Sequence, residues 1–267
     1  SPDALVNVST NASSVMVTLT EDMSTYDYCG KVTATHTLHM VRLHGLPPDT
    51  NIFYAADTVP VCNATRATDA VKNVSTFRTR PLKSAASLRF LATADMGDQA
   101  SHPWTAIPEM VRLCAAEGSS AQPIELGLHI GDIAYNLDIE PRGDSYMAET
   151  APMSATFPWM VAPGNHEADC NYTYANYRGR FAAQNLTGSP RGPNSDSSRW
   201  YSFELGPVHF AAIDTDAYGF DEVAPVLKPQ YEWLAADLAA VDREATPFVI
   251  LMGHRPMYCS ATAAASS

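Results

Sequence analysis

Apolar residues in this chain follow two different periods, and the change falls near residue 84. Up to about residue 83 they alternate with polar ones. Val15, Val17 and Leu19 are separated by small polar residues, and Leu38, Met40 and Arg42 interleave with His39, Val41 and Leu43. A period of two belongs to a strand with one covered face. Residues 1–83 are therefore expected to form an all-β module, with Ser75-Thr76-Phe77-Arg78-Thr79-Arg80-Pro81 as a last strand that leaves through the proline. After a linker from Leu82 to Ser87 come short continuous apolar runs: Leu88 to Ala94, Ile124 to Ile130, Phe157 to Ala162, Val208 to Ile213 and Phe248 to Met252. Helical spacing separates some of them. Ile107, Met110, Val111 and Cys114 predict a crossover helix ending near Gly118, and Tyr231, Leu234, Leu238 and Val241 line one face of another. Alternating strands and helices predict an α/β domain over residues 84–267.

Four of the five runs end in a polar cluster. Asp95-Met96-Gly97-Asp98 follows the first, and Gly131-Asp132 with Tyr135 follows the second. Gly164-Asn165-His166-Glu167 follows the third, and Gly253-His254-Arg255-Pro256 the last. The C-terminal edge of such strands is where α/β domains bind ligands. Taken singly, each residue has an ordinary reading. Asp95 could cap a helix, Asp132 and Asn165 could hold turns, Tyr135 could pack, and His166 and His254 could be hydrogen-bonded histidines. Together they place an oxygen or nitrogen donor directly after each strand. A carboxylate can bridge two hard cations, and a phenolate is a strong donor to a trivalent one.

Composition narrows the partners. With 267 residues, 46% of them hydrophobic, the chain can bury a real core. Its 17 Lys and Arg stand against 29 Asp and Glu, a net charge of −12, which opposes nucleic-acid backbones and anionic membranes. A phosphorylated small substrate is still acceptable where bound cations dominate the local field. Six N-glycosylation sequons, at Asn7, Asn11, Asn63, Asn73, Asn171 and Asn185, point to a secretory route and N-linked glycans. Five cysteines suit an oxidising compartment, and Cys29 with Cys62 is the natural pair inside the first module. No apolar run is long enough to span a membrane. Neither a G-x-S-x-G elbow nor a Gly-Lys-Ser/Thr phosphate loop occurs.

The order Asp95-Met96-Gly97, Gly131 to Tyr135, Gly164 to Glu167 and Gly253 to Pro256 resembles the purple acid phosphatase family of binuclear metallophosphoesterases. Gly97 stands where many metallophosphoesterases place a metal-binding histidine, and Tyr135 takes over as ligand, which marks the purple branch. The stretch Leu43 to Thr50, followed by Ile52 and Tyr54, resembles the corner of a fibronectin type III-like sandwich, a module that family also carries ahead of its catalytic domain. The resemblance implies a secreted acid phosphatase that hydrolyses phosphate monoesters by attack of a metal-activated hydroxide. In it Asp95 and Tyr135 hold Fe(III), and Asp132 bridges to a second divalent ion (Zn, Mn or Fe). Asn165 and His254 bind that second ion, and His166 hydrogen-bonds the phosphate. The family's later Gly-His-x-His segment and proton-donating histidine have no counterpart here, since no histidine follows His254. The catalytic domain is therefore expected to be incomplete at its C-terminus. Further chain beyond Ser267, or a second chain, is expected to donate two histidines and a partner for Cys259. The contrasting reading is a glycosylated structural or interaction protein that keeps this fold without turnover.

Overall fold

The computed structural model describes residues 9–20, 32–54, 75–80, 87–99, 105–117, 123–169, 172–186, 192–219 and 224–258. Cys29, Cys62 and Cys259 lie outside them, as do Asn7, Asn63, Asn73 and Asn171. Before residue 81 the described residues form two antiparallel ladders. Strand β1 (Ser9–Thr20) pairs with β2 (Val32–His44), and β3 (Asn51–Tyr54) pairs with β4 (Ser75–Arg78). Along β2 the even positions from Ala34 to Met40 are half-buried while Val41 and Leu43 are exposed, as the alternation requires. The corner before β3 is tied back across the sheet. Thr79 Oγ1 donates to Pro47 O at 2.6 Å, and Thr50 N donates to Thr79 Oγ1 at 2.9 Å. Among the described residues, polar contacts that join these ladders to the rest of the chain include Tyr54 OH to Ala155 O, Arg80 to Glu125, and His36 to Asp144.

Two three-stranded sheets follow. In the first, β5 (Phe90–Thr93), β6 (Leu126–Ile130) and β7 (Trp159–Ala162) run parallel. In the second, the hairpin of β8 (Tyr201–Leu205) and β9 (Val208–Ala212) is extended by β10 (Phe248–Met252), parallel to β9. The sheets face one another. Leu126 and Leu128 of β6, with Met160 and Ala162 of β7, pack against Tyr201, Val208, Phe210, Ala212 and Met252. Each large side chain buried there contributes about 1.5–3 kcal/mol. Val161, on the opposite face of β7, packs with Ile107 and Met110 of α1 (Ile107–Glu117), Tyr146 and Met153 of α2 (Arg142–Ser154) and Tyr177 of α3 (Ala175–Arg180). The outer face of β9 meets Trp233 of α4 (Leu227–Ala240). Because β5, β6 and β7 are parallel, their C-terminal ends share one edge, where three of the four predicted clusters emerge; the fourth, Gly253 to Pro256, follows β10 of the second sheet.

Helix α4 departs from its apolar pattern. Tyr231 and Leu238 are exposed, Val241 lies just beyond the helix, and the buried positions are Gln230, Trp233 and Asp237. Hydrogen bonding explains the inversion. Asp237 accepts from Ser202 Oγ at 2.6 Å and from His209 Nε2 at 2.9 Å, while Gln230 exchanges two bonds with the backbone of Asp214. Polar groups satisfied in this way can be buried without penalty, whereas apolar periodicity assumes that only carbon is.

Candidate metal centre

Two of the clusters are delivered by left-handed turns of the backbone. Asp95 follows β5 at φ 54°, and after β6 come Gly131 at 82°, Asp132 at 48°, Tyr135 at 49° and Asn136 at 94°. Left-handed backbone is tolerable for Gly, Asp and Asn, but rare for tyrosine. The loops are laced side by side. Asp95 N donates to Gly131 O at 3.1 Å, and Gly131 N donates to Ala162 O at 3.0 Å. Glycines make this approach possible. A Cβ on Gly131 would lie 2.2 Å from His254 Nδ1, and one on Gly164 would lie 2.4 Å from Asp132 Oδ1.

Three of the predicted donors converge. Ligand atoms of Asp95, Asp132 and His254 all lie within 4.8 Å of one another. Asp132 sits at the centre. Its Oδ1 is 3.6 Å from His254 Nε2 and accepts from His166 N at 3.1 Å, and its Oδ2 is 3.8 Å from His166 Nε2. Tyr135 donates its hydroxyl to Asp95 Oδ1 at 3.3 Å, and its ring lies 4.7 Å from that of His166. His166 Nδ1 and Asn136 Oδ1 are 3.0 Å apart, which ties the imidazole to the loop after β6. Asn165 neighbours the group, but its Oδ1 accepts from Arg255 Nη2 at 3.2 Å. Carboxylate, imidazole, phenol and carboxamide donors at one loop edge fit hard or borderline cations.

The electrostatics are those of a site with crowded negative charge. Burial, then the charges of Asp95 and Asp132, push the Tyr135 hydroxyl up to about 12. Burial and the Asp132 charge push Glu167 up to about 8, against backbone N–H donors that favour its charged form. Glu167 is fully buried and clamps two loops, accepting from Ile133 N at 2.8 Å and Gly164 N at 2.9 Å. Beneath the site His129 is forced neutral, down to about 3, by burial and then by the charge of His254.

Sequence reasoning passed over Asn136, Glu167 and Asp216. Glu167 sits inside a motif already singled out, and Asn136 directly follows one. Asp216 follows β9 as the other clusters follow their strands, so the same signal was present in Asp214-Thr215-Asp216. Arg255 was noticed only as part of a motif, yet its guanidinium binds the buried carboxylate of Asp216 and reaches Asn165.

Residues 88–266 match the family model described as calcineurin-like phosphoesterase. Acid phosphatase type 7 of Homo sapiens is 37% identical over 191 residues, covering 69% of this chain and 39% of that protein. Purple acid phosphatase 15 of Arabidopsis thaliana is 30% identical over 248 residues, covering 85% of this chain and 43% of the relative. The chain belongs to the purple acid phosphatases, within the calcineurin-like phosphoesterases. It spans about two fifths of the length of these curated relatives. The purple acid phosphatase PPD1 from yellow lupin (Lupinus luteus) seeds shares the fold, with a TM-score of 0.55 over 96% of this chain and 47% of its own at 21% identity. The site described above therefore sits in a metallophosphoesterase α/β domain. No helix among the described residues is long and apolar enough to cross a membrane.

Proposed function

We propose that this protein hydrolyses phosphate monoesters as a secreted acid phosphatase with a binuclear metal centre. Asp95 and Tyr135 would hold Fe(III), Asp132 would bridge, and Asn165 and His254 would hold a divalent Zn, Mn or Fe ion. The observation that carries this reading is the convergence of Asp95, Asp132 and His254 donor atoms within 4.8 Å, with Tyr135 hydrogen-bonded to Asp95. Two cations there supply Lewis-acid polarisation of phosphoryl oxygens and acidify bound water. The chain's own residues arrange the rest. Asp132, 5% exposed, lies between His254 and His166, so both imidazoles are positioned by one carboxylate. With its Nδ1 bound to Asn136, His166 keeps Nε2 to serve a phosphoryl or leaving-group oxygen.

The convergence of Asp95, Asp132 and His254 donor atoms favours a phosphatase over a structural or interaction protein that keeps this fold without turnover. The six sequons support passage through the secretory pathway with N-linked glycans. The change of period near residue 84 supports a fibronectin III-like module over residues 1–83 ahead of the catalytic domain over 84–267.

Metal content by mass spectrometry and hydrolysis of an aryl phosphate at mildly acidic pH test the assignment. Asp132→Ala should lose both metals. His166→Ala should keep them and turn over about 10²–10⁴-fold more slowly. Tyr135→Phe should bleach the visible absorption of the Fe(III)-loaded protein. Equal metal retention in the Asp132 and His166 variants, or no visible band in the loaded wild type, would refute the division of roles.

A further inference from the structure

We infer that Arg255 is a positioning residue that fixes the Asn165 carboxamide so that its oxygen faces the metal centre. The inference rests on the metal-site reading above and adds a residue to it.

Arg255 is anchored at three points. Its backbone N–H donates to Thr215 Oγ1 at 2.7 Å, its Nε binds Asp216 Oδ1, and its Nη2 donates to Asn165 Oδ1 at 3.2 Å. The anchor is deep. Asp216 is fully buried, and its N–H donates to Asp214 Oδ1 at 3.0 Å. Asp214 in turn takes Arg199 Nε at 2.7 Å on its other oxygen, and that guanidinium lies 3.9 Å over the Tyr174 ring. A continuous polar chain thus runs from the interior behind β9 to the site edge and ends on one oxygen of Asn165.

A carboxamide oxygen has two acceptor sites, whereas its NH₂ has no lone pair to give a cation. The terminal torsion of Asn is broad and roughly two-fold, so an untethered side chain presents oxygen and nitrogen about equally. The Arg255 N–H selects the oxygen, occupies one acceptor site and leaves the other for the cation. Groups of this kind commonly orient metal ligands from behind. Asp216 supplies the charge that lets a guanidinium stand beside a cation. Lysine cannot reproduce this, because a point charge lacks the planar fork that reaches Asp216 and Asn165 together.

Calorimetric titration with Zn(II) alone, on the whole chain, tests the inference in wild type, Arg255→Lys, Asn165→Ala and the double variant. Arg255→Lys should weaken one of two Zn(II) sites by about 10–100-fold and leave the other unchanged. In the Asn165→Ala background the same substitution should add nothing. Because a merely structural arginine would weaken both backgrounds alike, equal losses overturn the proposal, as does an Arg255→Lys variant that binds like wild type. Should Arg255→Lys fold poorly, Arg255→Met combined with Asp216→Asn removes both members of the pair and carries the same expectation. If Asn165→Ala itself binds Zn(II) like wild type, it is the assignment of Asn165 as a ligand that fails, and the positioning role falls with it.

Discussion

Replacing Gly131 with alanine should damage fold and site together, and the structure separates the two effects. Gly131 has φ 82°, and a Cβ there would meet His254 Nδ1, Cγ and Cβ at 2.2, 2.4 and 2.5 Å. Left-handed backbone costs an L-residue about 1–2 kcal/mol. The His254 ring must also move, which overpacks a filled region at about 1–3 kcal/mol. A loss of roughly 2–5 kcal/mol corresponds to a fall of about 4–20 °C in the melting midpoint for a domain of this size. Moving His254 also takes its Nε2 from its place 3.6 Å from Asp132 Oδ1, so Zn(II) affinity should fall as well. Two other glycines isolate the terms. Gly45 has φ 72° with nothing within 4 Å, so Gly45→Ala carries backbone strain alone and should bind Zn(II) normally. Gly164 has φ −115°, but its Cβ would lie 2.4 Å from Asp132 Oδ1, so Gly164→Ala should weaken Zn(II) without that strain. Thermal melts followed by circular dichroism, with Zn(II) titration, measure both quantities. A Gly131→Ala protein that melts like Gly45→Ala and retains wild-type Zn(II) affinity would refute the close-approach argument.

Two buried groups should give the metal-free protein opposite pH slopes in urea unfolding. The folded pKa of Glu167 lies above its ordinary 4.5, at about 8, so its contribution is complete below 4.5 and is lost as pH rises through 8; Glu167→Gln should flatten that limb. Because glutamine's amide nitrogen cannot accept from the N–H groups of Ile133 and Gly164, one buried donor is left unsatisfied and the variant should also lose about 1–3 kcal/mol at low pH. The folded pKa of His129 lies below its ordinary 6.5, at about 3, so its contribution is complete above 6.5 and is lost as pH falls toward 3. His129→Phe should flatten the acid limb while leaving the Tyr146 hydroxyl without its 2.7 Å partner, and an unchanged acid slope would show that another group controls it.

Strand positions were legible because they depend on runs of apolar residues that need cover on both faces. All five runs after residue 84 became strands, four of them trimmed by a residue or two at their ends and Phe248–Met252 matching throughout. The helix at Leu227–Ala240 was legible as a helix but not by its face. Its inward positions carry Gln230 and Asp237, and their partners are the backbone of Asp214 and the side chains of Ser202 and His209. No local pattern reveals a partner more than ten residues away. The ladder β8–β9 was half-seen for a similar reason, because Tyr201–Leu205 contains Ser202 and Glu204 and lacks a continuous apolar run.

The site was legible as a list of donors because each follows a strand, but the geometry that aims them was not. Four residues at this edge, Asp95, Asp132, Tyr135 and Asn136, have positive φ. For Asp and Asn the sequence permits that conformation without demanding it, and for Tyr135 it argues against it. A backbone state that costs a tyrosine about 1–2 kcal/mol persists only where the surroundings enforce it. Here Arg142 Nη1 donates to Tyr135 O at 2.8 Å, the Tyr135 ring packs 4.7 Å from that of His166, and its hydroxyl returns to Asp95. The strain turns the phenol back from the loop after β6 to the loop after β5. Relaxing Tyr135 to an extended conformation would redirect that hydroxyl away from Asp95 and leave one carboxylate where two donor types now meet. Tyr172 and Tyr174 are left-handed as well, at φ 55° and 53°, so the conformation alone does not mark the site; at Tyr135 it carries the hydroxyl to Asp95, a link between local structure and site that no periodicity encodes.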